Sequence, residues 1–372
     1  MVVHQLAPPG GTKASEPAQM PHKARSEASA IPSSHPSRTG VDMAGGTMQR
    51  GDLVEVRSPA EILDTLDETG ALEMLPFMPE MAAHCGLRFK VDRRADRLCD
   101  TVNGTGTRNL KDSVYLEDLR CSGECHGGCQ AECRYFWKEA WLRRVTADTP
   151  PARAFTESER QALVARAALG VQRQVAVESG SETRWRCQAT DLPQATTRVS
   201  PWNPVSYTRE LTKGNVPLDH FVTVMGRAVV RQPMSKLGLI PRVPLKGTRD
   251  KPLTDTPLDL RPGELVQIKS KEEIAETLTK DGRNKGLWFD LEMMVYCGQT
   301  FKVRRRITHF IEDKNGKMIE LKSDCVTLDG CVCSGDHSLS RWFCGRAIYS
   351  YWREIWLRRI DPLDENRLPA RS

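Results

Sequence analysis

The chain has 372 residues, 39% of them hydrophobic and 27% charged, with a net charge of +6 and a mean hydropathy of −0.48. That is enough for two or three domains with cores of their own, and no apolar run approaches the ~18–20 residues that cross a bilayer. The positive charge is concentrated between residues 146 and 262, with 17 basic against 11 acidic residues, so it reads as solvated surface more than as a nucleic-acid footprint.

Residues 1–50 are rich in Pro, Gly, Ser and Ala with few large apolar side chains, and are expected to form a disordered tail. They hold no apolar stretch of the kind a secretory signal needs. The twelve cysteines are therefore expected in a reducing, cytoplasmic setting, where clustered thiols serve metals or redox chemistry rather than structural disulfides.

From residue 51 the chain repeats itself. GDLVEVRSPAEILDTLDETG at 51 is matched by GELVQIKSKEEIAETLTKDG at 263, and the offset holds without a gap to Gly123, with 28 identities in 73 positions. After three extra residues the match resumes, CQAECRYFWKEAWLRRV at 129 against CGRAIYSYWREIWLRRI at 344. Residues 51–145 and 263–361 thus read as two copies of one small domain.

In each copy an alternating strand, Leu53–Ser58 or Leu265–Ser270, leads into a capping box, Ser58 with Glu61 or Ser270 with Glu273. The short helix behind it stops at Gly70 or Gly282. A second strand follows at Leu87–Arg93 or Gln299–Arg305, then an Asn-Gly pair (Asn103–Gly104, Asn315–Gly316) suited to a type I′ hairpin turn. A third strand ends at Cys-Ser-Gly. Trp-x-Glu-x-Trp-Leu-Arg-Arg closes each copy, as a helical face or a strand. The pattern predicts an α+β fold with a curved sheet, of the SH3-like barrel kind by analogy.

Between the copies, Thr156 and Glu159 form a capping box that predicts an amphipathic helix to about Val175, within a middle segment spanning 146–231. Residues 232–262 contain six prolines and read as an extended linker, with the middle segment folded onto copy one and copy two on a tether. Residues 362–372 form a short polar tail. The blocks HGGCQAEC…FWKEAWL, RCQAT and YWREIWL resemble a group of uncharacterised bacterial proteins with this tandem arrangement, over most of residues 51–360. The resemblance implies no activity.

The chemistry is concentrated in CSGECHGGCQAEC, residues 121–133. Three cysteines recur in both copies: Cys85 with Cys297, Cys121 with Cys333, and Cys129 with Cys344. A histidine lies between the last two in each, His126 and His337. Three thiolates and an imidazole match a closed tetrahedral zinc site, and copy one has a tighter set in Cys121, His126, Cys129 and Cys133. Cys125 and Cys133 have no counterpart in copy two, whose site would draw on Cys331 or Cys325 instead. Cys85 and Cys297 sit in apolar stretches that suit plain packing as well. An iron–sulfur cluster on the four cysteines of 121–133 and a redox thiol at Cys125 beside His126 are the competing readings. CSGECH is a poor haem-attachment motif, because copy two keeps no equivalent.

Glu80 and Glu292, like Glu139 and Glu354, recur and are expected to pair with Arg93–Arg94 or Arg305–Arg306 rather than to act as acids or bases. The tryptophans are expected in the core, with a stacking surface as the alternative. The functional expectation is a zinc-binding tandem-domain protein that binds or scaffolds a protein or small-molecule partner. A metal or iron–sulfur redox enzyme centred on copy one is the alternative, and a nucleic-acid binder a further one. No residue is assigned a catalytic role.

Overall fold

The computed structural model describes residues 47–360, apart from 105, 151–153, 179, 201–202, 240–244, 323 and 339. The fold is α+β. Most of the expected N-terminal tail and the C-terminal tail lie outside the described residues. The end of the N-terminal segment is packed: Met48 is buried and its carbonyl accepts a hydrogen bond from Arg94 Nη1 at 2.7 Å.

Two five-stranded antiparallel sheets organise the molecule. In the first, the order is Trp137–Lys138, Ser113–Leu116, Arg88–Arg94, Leu53–Val56, Leu142–Arg144; in the second it is Trp352–Arg353, Cys325–Leu328, Thr300–Arg306, Leu265–Ile268, Leu357–Arg359. The registers correspond as well. Val54 faces Phe89 and Arg144 where Val266 faces Phe301 and Arg359. A register shift falls between Val91 and Arg93 in one sheet and between Val303 and Arg305 in the other.

Local signals explain the elements around each sheet. Ser58 and Glu61 close both halves of a capping box on α1 (Pro59–Leu63), as Thr156 and Glu159 do on α2 (Glu157–Ala167). Gln188–Ala195, Pro204–Thr212 and Leu218–Lys236 form α3, α4 and α5; Lys271–Thr277 forms α6, capped by Ser270 and Glu273. The closing Trp-x-Glu-x-Trp motif is neither one helical face nor one strand. It is a single 3₁₀ turn, Glu139–Trp141 or Glu354–Trp356, between two strands. The Asn-Gly pairs sit in hairpins, but only the glycines, Gly104 and Gly316, take positive φ, so the turns are not type I′.

The middle of the chain departs most from expectation. The helix predicted to reach Val175 ends at Ala167, and residues 172–177 pair instead with Gly180–Trp185 in a β-hairpin. The stretch read as an extended linker begins inside α5. Its later part is strapped to the second sheet unit: Gly247 N donates to Thr279 O, Leu253 N donates to Thr277 O, and Leu260 is buried in the second core. Proline removes amide donors but leaves carbonyls and side chains able to dock.

The second unit is not tethered loosely but packed on the first, by a reciprocal exchange of loops. Gln130 N donates to His309 O at 3.3 Å, and Gly345 N to Arg97 O at 3.0 Å. Cys129 Sγ accepts from Ile311 N at 3.3 Å, and Cys344 Sγ from Cys99 N at 3.1 Å. In both pairs, residues at matching places in the two units contact matching partners. Where the units meet, Thr101 Oγ1 donates to Asp313 Oδ2 at 2.6 Å, two side chains from equivalent positions. The hairpin at 172–185 reinforces the contact, with Trp185 N donating to Gly316 O at 2.8 Å and Lys317 paired to Glu182 at 2.9 Å.

α4 and α5 cover one flank of this junction. Phe221 stacks on Phe343 at 5.3 Å, and Asn215 accepts from Arg94 N at 2.8 Å. Glu210 of α4 is buried, with Oε2 accepting from Asn215 Nδ2 at 3.0 Å and Oε1 without a partner. Burial pushes its carboxyl up to about 7, against the pull of Asn215, Arg93 and Arg97. The folded chain then holds this proton more tightly than the unfolded one. Its contribution is present below the ordinary glutamate range and is lost as pH rises to about 7. Glu210→Gln is expected to flatten that loss and to melt above the wild type at about pH 8 but not at about pH 4. Thermal melts at the two values check it.

Candidate metal centre

Among the described residues, one group of three potential metal donors has its ligand atoms close together: Glu80, Cys121 and His126. Glu80 lies in the first turn of the 3₁₀ segment Pro79–His84, which begins with a proline at the position where no amide donor is needed. Cys121 and His126 come from the loop that follows the third strand. That loop turns on Gly123, at φ +79°, where a Cβ would stand 2.0 Å from Cys129 O. No other residue fits there. Gly127 and Gly128 follow, both at φ +71°, and let the loop double back towards the second unit.

His126 is 2% exposed. Its Nε2 stands 3.3 Å from Cys121 Sγ and its Nδ1 3.0 Å from Glu80 Oε1. The Nδ1 contact is off the line of a hydrogen bond, so Nδ1 is buried without a hydrogen-bond partner, as is Glu80 Oε2. Glu80 Oε1 accepts from the Cys125 amide at 3.1 Å. Burial works against charge on Glu80, but His126 and the Cys125 amide hold its carboxyl below the ordinary range. Burial pushes the Cys121 thiol well up, with Cys133 and Glu80 adding to it. Burial, with Cys121 and Glu80 nearby, pushes the Tyr135 hydroxyl well up.

The second unit provides an internal comparison. Glu292, at the place of Glu80, is satisfied by its loop: Oε2 accepts from Ser334 Oγ at 3.0 Å and Gly335 N at 3.1 Å, and Oε1 from His337 N at 2.8 Å. The bond to His337 N matches that from Cys125 N to Glu80, so His337 corresponds to Cys125 and Ser338 to His126. His126 and His337 therefore hold different places in their loops, in keeping with the difference in loop length. The His337 ring faces Arg227, with Nδ1 3.3 Å from Nη1.

The other expected ligands lie apart from this group. Cys129 is buried in the second unit's core and Cys344 beside Cys99, each accepting an amide hydrogen bond across the junction. Cys133 places its carbonyl on Cys121 N at 2.8 Å, and burial pushes its thiol up to about 12. Cys333 is buried and its thiol pushed well up. Cys85 and Cys297 end the two 3₁₀ segments as packed thiols, pushed by burial up to about 12 and about 11.

Glu80 was missed as a donor because it was expected to pair with arginine. That expectation holds for Glu139, which is paired with Arg94, and for Glu354, 2.6 Å from Arg306. It fails for Glu80 and Glu292, which anchor the Cys-Ser-Gly loops. The signal available was their place in a stretch that otherwise drifts between the copies. Trp137, Trp141, Trp352 and Trp356 are fully buried, so none offers a stacking surface. Among the described residues, no helix is long and apolar enough to cross a membrane. Comparison of the chain with protein-family models, with curated proteins and with solved structures finds no match in any of the three.

Proposed function

We propose that this is a metal-binding protein built by internal duplication of an SH3-like domain, in which Glu80, Cys121 and His126 hold one zinc ion and the paired units serve as a scaffold for a partner in the cytoplasm. The duplication reading is supported by the shared sheet order and register. The SH3-like reading is supported by a meander in which the fifth strand pairs with the first after a 3₁₀ turn.

One observation carries the metal reading. The buried carboxylate of the second unit has donors on both oxygens, whereas that of the first leaves Oε2 without a partner and meets His126 Nδ1 only through Oε1, at 3.0 Å. A buried oxygen left this way costs about 1–3 kcal/mol unless something fills the role of donor. A thiolate, an imidazole and a carboxylate suit zinc and are a poor set for magnesium or calcium. Binding would displace the Cys121 proton, so affinity should rise with pH.

Elemental analysis of the reduced full chain tests this. Roughly one zinc per chain is expected in the wild type and in Glu292→Gln, with loss in His126→Ala and Cys121→Ser. A strong chelator should lower the melting temperature of the wild type and leave that of His126→Ala unchanged. A wild type that takes up no zinc on titration overturns the reading. Iron with visible absorption would replace it with redox chemistry.

The order carboxylate, imidazole, thiol is also that of an activated nucleophile, the feature favouring an enzyme centred on this unit. The burial of His126 and the upward push on Cys121 count against it.

A further inference from the structure

The junction between the units contains a second pair of reactive groups that the metal centre does not use. Cys99 ends the short strand Leu98–Cys99 of the first unit, and Cys344 lies in the docking loop of the second. Cys99 N donates to Cys344 Sγ at 3.1 Å, which brings the second unit's thiol against the backbone of Cys99. Both are buried, with Ile348 as their apolar neighbour. Arg346 donates to the Cys99 carbonyl at 3.3 Å, which places a buried guanidinium beside the pair.

The same backbone cradle exists on the other side of the junction with two side-chain changes, one of them Cys133 at the place of Ile348. There Cys129 occupies the place of Cys344, and Ile311 that of Cys99. The backbone contact is kept where Ile311 replaces Cys99, so the cradle does not require a sulfur at that place. The sulfur of Cys99 is the added feature.

We propose that Cys99 and Cys344 are a reversible cross-link site, at which a small oxidant such as hydrogen peroxide joins the two units through a disulfide. In the first step the Cys99 thiolate attacks one peroxide oxygen; the O–O bond breaks and the other oxygen leaves as water after taking a proton. Cys99 is then a sulfenic acid. In the second step Cys344 sulfur displaces that hydroxyl as a second water, forming the S–S bond. The two sulfurs lose two electrons and the peroxide gains them. Cys99 is the attacking group because the hydrogen bond from Cys344 and the nearby Arg346 push its thiol down, while Cys344 is pushed up. Cys344 Sγ already lies 3.1 Å from the Cys99 amide inside one buried cluster, so the ~2.05 Å S–S bond can form by side-chain rotation there. Water-sized peroxide reaches the buried pair through local opening of the junction.

Peptide mapping of the full chain tests this. The protein is treated with hydrogen peroxide, free thiols are blocked, and the digest is analysed without reduction. The expected result is a linked peptide containing Cys99 and Cys344 that disappears on reduction and in Cys99→Ser, with a higher melting temperature for the oxidised wild type. Ile311→Cys, which supplies the missing thiol opposite Cys129, should yield a second linked peptide. Recovery of Cys99 and Cys344 as blocked thiols from oxidised wild type, while exposed Cys125 is oxidised, overturns the proposal. So does a Cys344 linked to Cys333 instead.

Discussion

Arg346→Ala is expected to destabilise the protein by about 3–5 kcal/mol, the cost of breaking a buried charge pair from one side. The Arg346 side chain is 3% exposed and bridges the two units. It donates to the Cys99 carbonyl at 3.3 Å, to Thr101 Oγ1 at 2.7 Å and to Asp313 Oδ2 at 3.2 Å. Truncation leaves Asp313 with a single hydroxyl donor in a site it shares with Thr101. The loss should appear first as separation of the units, so that unfolding, expected as one transition in the wild type, should split in two. Arg346→Lys should recover part of it, because a point charge can serve Asp313 but cannot reach three acceptors in a planar fork. Denaturant midpoints for the three proteins decide the matter. A loss under about 1 kcal/mol for the alanine variant would mean that the junction contributes little to folding.

The second large effect is expected inside each unit. Trp141→Ala should cost about 3–5 kcal/mol, as large-to-small changes at buried aromatics do. Trp141 is fully buried and meets Phe77 edge-on with ring centroids 5.1 Å apart. Its Nε1 donates to Thr65 Oγ1 at 3.0 Å, so truncation also removes that hydroxyl's donor. Trp356 repeats the arrangement, with Phe289 at 5.3 Å and Thr277 Oγ1 at 2.9 Å. Trp356→Ala should therefore cost about as much. Thermal melts of both variants test this, and a negligible shift in either would show that its cavity collapses without loss.

Much of each unit was legible from residues close in sequence. The capping boxes at Ser58 and Ser270 are satisfied by side chains three residues away, so the sequence displays them directly. The strand around Arg88–Arg94 alternates strongly enough to be seen without its partners. Helix length in the middle segment was not legible in the same way. The apolar pattern after Ala167 serves a hairpin whose stability comes from docking at Gly316, far along the chain.

The candidate site was half legible for the same reason. Cys121 and His126 lie five residues apart on one glycine-turned loop, and their clustering announces chemistry. Glu80 is 45 residues from the Cys125 amide it binds, and its role depends on how a 3₁₀ turn is set against that loop. Cys129 and Cys133 share the loop but face other neighbours, because the chain reverses at Gly127 and Gly128.

By itself, the amino-acid sequence displayed the matched segments, the capping boxes that start the helices and the loop that carries the thiols, since these follow from local spacing and from comparing one half with the other. Only the tertiary structure decided which donors converge, that His337 corresponds to Cys125, and that the units exchange loops at a shared junction. Those outcomes rest on contacts between residues up to 247 apart, where burial and hydrogen-bond satisfaction, not local pattern, select the partner.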